Sequence, residues 1–433
     1  MTNRAERPSE TPLAASLFEL PPGVTIGSLI RDRYDGRDQR DIFAKTADFT
    51  LSEQARHLQI YPFFQPLDNN DGPVASIYGQ RVLMFGSNNY LGLTRHPEVM
   101  QAARDAIETY GTSMTGSRLL NGSTHLHEEL EGRIARFVGK EAALVFTTGY
   151  QANLGTISSL VGRHSVAVVD KADHASIYDG CRLADGEMIR FKHNDPEHLE
   201  SVLKRIGEHK ACLVIIDGVF SMGGDIVDLP RIVDVCQRHA ARLFVDDAHA
   251  IGVIGEGGRG TASHFGLEDH VDLVMGTFSK SLASIGGFIA GPRHVLEWVK
   301  HFGRAMMFSA SLPPSATAAA LAALTVLERE PEIVERLGRL AVQWREGLRS
   351  LGFDIGESQT PIVPVNVGDE YATVMFWKLL LENGVYTNPV LYPAVPIGKA
   401  MLRTSCMATH TSQQIEQALE QFRTVGRKQG LVS

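Results

Sequence analysis

The chain has 433 residues, 43% of them hydrophobic, and a formal net charge of -8. That length asks for two or three lobes rather than one core, and the acidic balance gives no electrostatic reason to bind nucleic acid. Four cysteines (Cys181, Cys212, Cys236, Cys406) without a CxxC pair argue against a disulfide framework or a zinc site, fit a reducing compartment, and leave no metal expected.

Residues 1–85 read as an N-terminal arm and lead-in, and residues 1 to about 50 mix Pro, Asp and Arg ("LIRDRYDGRDQRD"), as a solvated arm with room for one amphipathic helix does. No apolar run there makes a secretory signal, so the sequon at Asn121 reads as accidental. No run elsewhere reaches the roughly 18 residues that span a bilayer. A cytoplasmic protein is expected. Around 80–92, "QRVLMFGSNNYLGL" reads as a strand entering a polar turn.

Residues 86–320 are expected to form the large domain. Its strands are predicted at 142–147, 166–170, 211–217, 242–247, 271–276 and 286–291, all continuous Val/Ile/Leu-rich runs suited to a mainly parallel sheet covered on both faces. Intervening stretches such as "DPEHLESVLKRIGEHK" carry apolar residues at helical spacing, which completes a βαβ pattern and an α/β fold. Residues 321–433 read as a smaller α+β domain, with strand-like "PIVPVNVG", helical "ATVMFWKLLLENG" and strand-like "AMLRTSCMA".

Ligands of open α/β sheets sit beyond the carboxyl ends of the strands, and the polar groups of interest fall there. "TTGY" leads through Gly149 into a helix start, a place suited to phosphate. His174 follows one strand, Asp246 and His249 another, and Lys280 stands among Thr277, Ser279 and Ser281. "VDDAH" resembles the acidic box of helicase-type ATPases, but the P-loop these require is missing, since neither "VGKE" nor "IGKA" continues to Ser or Thr. "GEGGRG" has no strand immediately before it, so a dinucleotide site there is not expected. Taken singly, each group is compatible with a capped helix, a loop histidine or a surface lysine. Taken in order, they match pyridoxal phosphate (PLP): a lysine for its aldehyde, an Asp for its ring nitrogen, and a glycine turn with hydroxyls for its phosphate.

The chain resembles the α-oxoamine synthases, fold type I PLP-dependent transferases, over roughly residues 58–425. The likeness rests on "FGSNNYLGL", "GSRLLNGSTHLHEELE", "TTGYQANLG", "DHASIYDG", "DGVFSMGGDI", "VDDAHAIGVIGEGGRG", "GTFSKSLASIGGF" and "MLRTSCMATHT". It implies a homodimer with shared active sites that condenses an amino acid with an acyl-CoA and releases CO2. It also implies Lys280 as the Schiff-base lysine, Asp246 as the pyridinium partner, His174 stacked on the ring and His249 at the phenolic oxygen. Gly149, Tyr150, Ser221, Thr277 and Ser279 would line the cofactor, with Ser309 and Ser311 reaching the neighbouring subunit's phosphate. Arg403 would clamp the amino-acid carboxylate, and Asn89 would line the substrate side.

Within the family, "GSRLLNG", "HASIYDGCR" and "SASLPPS" look most like the bacterial serine palmitoyltransferase branch, whereas "DGVFSMGGD" and "YPAVP" are closer to the 8-amino-7-oxononanoate synthase and 2-amino-3-ketobutyrate ligase branches. Serine with palmitoyl-CoA is the expected pair, alanine or glycine with another acyl thioester, CoA-borne or on a carrier protein, the alternative. Leu391 departs from the first branch, some of whose members carry an arginine twelve positions before the one matched by Arg403. An aminotransferase would keep Lys280 and Asp246 but release a keto acid and no CO2; a binding protein would not need Lys280. Long acyl substrates partition into bilayers, so contact with a membrane surface is compatible with the absence of an anchor.

Overall fold

The structure, a computed structural model, describes residues 40–207 and 209–433. Residues 1–39, most of the expected arm, lie outside the described residues. Seven strands build the central sheet: β1 (Ala142–Phe146), β2 (Ser165–Asp170), β3 (Glu187–Phe191), β4 (Ala211–Asp217), β5 (Arg242–Asp246), β6 (Leu273–Thr277) and β7 (Gly287–Gly291). Their order across the sheet is β1-β7-β6-β5-β4-β2-β3. β2 to β6 pair in parallel, and β7 runs antiparallel to both β1 and β6.

Alternate residues of the same strand supply opposite faces. Val166, Val168, Val214, Ile216, Leu243 and Val245 pack under one helical layer, while Ala167, Val169, Leu213, Ile215 and Phe244 pack under the other. The first layer includes the helix Pro196–Ile206, begun by a proline in its first turn and by Asp195, whose carboxylate accepts from the His198 N–H at 2.8 Å. The predicted fold class, α/β with a mainly parallel sheet, is the one observed. β3 escaped the sequence reading because it is an edge strand, with Glu187 and Arg190 exposed and only Phe191 buried.

Beyond the large sheet, β8 (Ile362–Gly368), β9 (Asn388–Val390) and β10 (Ala400–Ser405) form an antiparallel sheet in the order β8-β10-β9. It is backed by a ring cluster of Trp344, Phe353, Phe376 and Phe422. Trp344 Nε1 donates to Thr404 Oγ1 at 2.8 Å, which anchors the residue beside Arg403. A third sheet joins Asn69–Asn70, Val74–Ile77 and Gln80–Met84 to Val385–Tyr386. Ser405 N–H then donates to the Phe85 carbonyl at 2.7 Å, so the turn at 86–92 lies directly on β10. The continuous Ala/Leu-rich helix Pro314–Arg329 spans position 320/321, where the sequence suggested a boundary.

Candidate active site

The carboxyl ends of β2, β4, β5 and β6 carry Asp170, Asp217, Asp246 and Thr277. Asp217 and Asp246 are direct register partners. Burial, with the neighbouring Asp246 charge, raises the Asp217 carboxyl well above its ordinary range. Asp246 is held as an acceptor: Asn153 Nδ2 donates to its Oδ2 at 2.7 Å and the Ala248 N–H to its Oδ1 at 3.0 Å.

The same Asn153 amide donates to Ser176 Oγ at 2.8 Å, and that hydroxyl lies 2.7 Å from His174 Nδ1. One thread therefore runs from Asp246 through Asn153 and Ser176 to His174. His174 keeps an edge exposed to solvent, and the partial burial of its ring, chiefly, lowers its pKa from the usual histidine value. His249 is buried, with Nδ1 2.7 Å from the Tyr90 hydroxyl. Burial and the Lys280 and Arg403 charges keep its pKa far below the usual value.

Lys280 is only partly exposed. Burial outweighs the attraction of Asp246 and lowers its pKa to about 8. At pH 7 roughly a tenth of this amine is neutral, against well under a thousandth of an ordinary lysine.

The helix Gly149–Leu160 aims its N-terminus at the end of β6. Thr148 caps it by accepting the Gln151 N–H at 3.1 Å, and the Gly149 and Tyr150 N–H groups have no acceptor among the described residues. Thr277 Oγ1 lies 2.8 Å from Ser279 Oγ and donates to the Gly286 carbonyl at 2.8 Å. The helix start and β7 touch through glycine alone, since a Cβ on Gly287 would sit 2.5 Å from Gly149 Cα and 2.7 Å from its nitrogen. Gly287→Ala is expected to cost about 1–3 kcal/mol by overpacking and to weaken cofactor retention. Gly162→Ala, where a Cβ meets nothing within 4 Å, is the control in the same thermal melts and cofactor titrations.

Ser309 Oγ accepts from Gln151 Nε2 at 2.9 Å, and Thr147 Oγ1 donates to the Ala310 carbonyl at 2.6 Å, so in the single chain residues 309–310 flank its own helix start. Ser311 is buried and its N–H donates to the Gly116 carbonyl. On the opposite side Arg403 is buried in β10, with Nε donating to the Ser221 carbonyl at 2.6 Å and Nη2 lying 3.3 Å from the Tyr90 hydroxyl. Asn89 is buried; its amide donates to Thr94 Oγ1 at 2.8 Å, while Oδ1 has no partner among the described residues. The Tyr150 hydroxyl instead turns to Asp179.

Lys280, Asp246, His174, His249 and Arg403 lie close enough for their charges to act on one another. The sequence reading missed Asn153, Ser176 and Tyr90. All three lie inside quoted motifs, Asn153 in "TTGYQANLG", Ser176 in "DHASIYDG" and Tyr90 in "FGSNNYLGL", but none was given a role there. A buried amine with a lowered pKa, an anchored carboxylate, a neutral imidazole and a helix N-terminus beside two hydroxyls are the donor set PLP requires. No group of three or more His, Cys, Asp or Glu side chains suited to a metal occurs among the described residues. Nor is any helix among them long and apolar enough to cross a membrane.

Comparison with known proteins agrees with this geometry. The family model Aminotransferase class I and II matches residues 80–422. A serine palmitoyltransferase of Sphingobacterium spiritivorum is 47% identical over 87% of this chain and 95% of its own length. An 8-amino-7-oxononanoate synthase of Thermoanaerobacter pseudethanolicus is 42% identical over 88% and 96%. A solved structure of serine palmitoyltransferase from S. paucimobilis with bound PLP-myriocin aldimine matches with a TM-score of 0.88 at 38% identity, covering 92% of this chain and all of that one. The chain accordingly belongs to the class I and II aminotransferase family as an α-oxoamine synthase, a PLP-dependent, acyl-transferring enzyme of fold type I.

Proposed function

We propose that the enzyme condenses L-serine with a long-chain acyl-CoA, palmitoyl-CoA in the first instance, to give an α-amino ketone such as 3-ketosphinganine, CoA and CO2. The observation that carries this reading is the 44–47% identity to three serine palmitoyltransferases; the reading gives the buried Arg403 the substrate carboxylate. Identities of 42–43% to two 8-amino-7-oxononanoate synthases, and Leu391 in place of a second arginine, keep alanine or glycine with another acyl thioester as the second reading.

PLP, when bound, supplies an aldehyde that captures amines and a ring that withdraws the electron pair left on the substrate Cα. Lys280 Nζ would hold the cofactor through its aldehyde and, as a free amine, would take up the substrate Cα proton. Asp246 keeps the ring nitrogen protonated. His174 would lie against the cofactor and hydrogen-bond the substrate carboxylate, and so would help orient the reacting bond. A neutral His249 that accepts the Tyr90 proton at Nδ1 carries its own proton on Nε2, as a donor to the phenolic oxygen must. The Gly149 and Tyr150 N–H groups, Thr277 and Ser279 hold the phosphate, with Ser221 alongside the cofactor and Asn89 on the substrate side. The protein acts as a homodimer in which Ser309 and Ser311 of one subunit serve the other's phosphate, and the chain divides into an arm at 1–85, a cofactor domain at 86–320 and a small domain at 321–433. It works in the cytoplasm, with peripheral membrane contact where acyl chains demand it.

CoA release over a matrix of amino acids and acyl-CoA lengths tests this reading. Serine with palmitoyl-CoA should turn over fastest; good turnover with alanine or glycine and little with serine overturns the substrate assignment. In the same assay Arg403→Ala should raise the amino-acid KM about 30- to 1,000-fold, as loss of one partner of a buried charged contact costs about 2–4 kcal/mol.

A further inference from the structure

Arg403 takes its orientation from a backbone carbonyl in a loop. That loop, residues 218–227, leaves β4, closes on itself through the Val219–Ile226 bridge and touches both lobes. On the small-domain side the Gly224 carbonyl accepts from the Gln359 N–H at 3.0 Å and Thr360 Oγ1 at 3.0 Å, and Ile226 N–H donates to Gln359 Oε1 at 3.1 Å. Gly224 lies so close to β8 that a Cβ there would sit 2.1 Å from the Ile362 carbonyl oxygen.

The other side is held by His193, which follows β3. Its Nδ1 lies 3.1 Å from Asp170 Oδ1 at the end of β2, and its Nε2 lies 3.1 Å from Asp225 Oδ2 in the loop. The Phe220 ring meets the imidazole edge to face at 4.3 Å, and Phe220 N–H donates to the Asp225 carbonyl at 3.0 Å. Asp170 is fully buried, Asp225 largely so, and His193 is 32% exposed. A ring with a carboxylate on each nitrogen needs both protons. Between Phe220 and Asp225 stands Ser221, whose carbonyl orients the Arg403 guanidinium.

We propose that His193 is a positioning residue for amino-acid binding: it staples Asp225 to Asp170, fixes the 218–227 loop, and so sets the Ser221 carbonyl that aims Arg403. The inference rests on Arg403 as the carboxylate clamp. Burial pulls the His193 pKa down, but the hydrogen bonds to Asp170 and Asp225 outweigh it and raise the value to about 9. The titratable groups facing the ring are those two carboxylates; Asp173, in the turn after β2, hydrogen-bonds the Asp170 N–H instead. The staple is therefore complete at neutral pH and is lost as pH rises through about 9.

His193→Gln, with His193→Leu as the harsher variant, is measured in the holoenzyme for amino-acid KM, kcat, thermal melting and the amino-acid Kd from titration of the visible cofactor band. His193→Gln should raise KM and Kd about tenfold, as loss of a supporting hydrogen bond behind a ligand-binding group does, with kcat and acyl-CoA KM within twofold. The wild-type amino-acid KM should climb above about pH 9, and Asp225→Asn, whose amide pairs with a neutral imidazole, should flatten that climb. A KM and Kd within twofold of wild type in His193→Gln, while Arg403→Ala is impaired, overturns the staple alone. A normal KM in Arg403→Ala overturns the clamp and the staple together. Equal loss of kcat and melting temperature without a change in Kd makes His193 structural only and also overturns the proposal.

Discussion

Lys280→Ala is expected to abolish the borohydride-sensitive visible band of the purified enzyme and to lower kcat by at least about 10²–10⁴-fold, the range for loss of a positioned base alone. The wild-type amine should also reveal its environment during reconstitution. Only neutral amine attacks an aldehyde, so the rate of PLP uptake by cofactor-free protein should rise with pH and level off above about 8, where burial has set this lysine. Stopped-flow absorbance at the cofactor band reads both effects. A colourless wild type, or a Lys280→Ala enzyme within tenfold of normal turnover, overturns the role given to this residue.

Asp246→Asn should lower kcat about 10²–10³-fold, the usual cost of removing one group aimed at charge that develops in the reaction. The amide keeps the shape and can still meet the Ala248 N–H, but it cannot hold a proton on the ring nitrogen. The visible band should therefore persist while turnover collapses, and the amino-acid KM should stay within a few-fold. Steady-state kinetics beside absorbance spectra separate these outcomes. Turnover within threefold of wild type would remove Asp246 from the chemistry.

Much of the fold was legible because buried parallel strands announce themselves as apolar runs: β4 and its terminal Asp217, for instance, coincide with the run read from sequence. The edge strand β3 and the three-residue β9 were not, since charged Glu187 and Arg190 interrupt the apolar run of one and the other is too short to show a period. The helix Pro314–Arg329 shows why a lobe boundary was hard to place: its alanines make one unbroken rod through the suggested division. At the site, groups at strand ends could be found because topology collects them there. Asn153 and Ser176 were hidden, since each lies inside a helix where a polar residue ordinarily faces water. Their buried partners exist only after the chain folds. Arg403 was readable by likeness alone; its Ser221 and Tyr90 contacts lie 182 and 313 positions away in sequence.

The thread from Asp246 to His174 has a consequence for how such a site can vary. Asn153 uses one amide nitrogen for both the carboxylate and the Ser176 hydroxyl, so a change at any of the four positions leaves a buried donor or acceptor stranded at the next. Substitutions along it will not add. In a laboratory lineage these positions will resist exchange one by one and yield only in matched sets, so that the two faces of the cofactor pocket evolve as a single character.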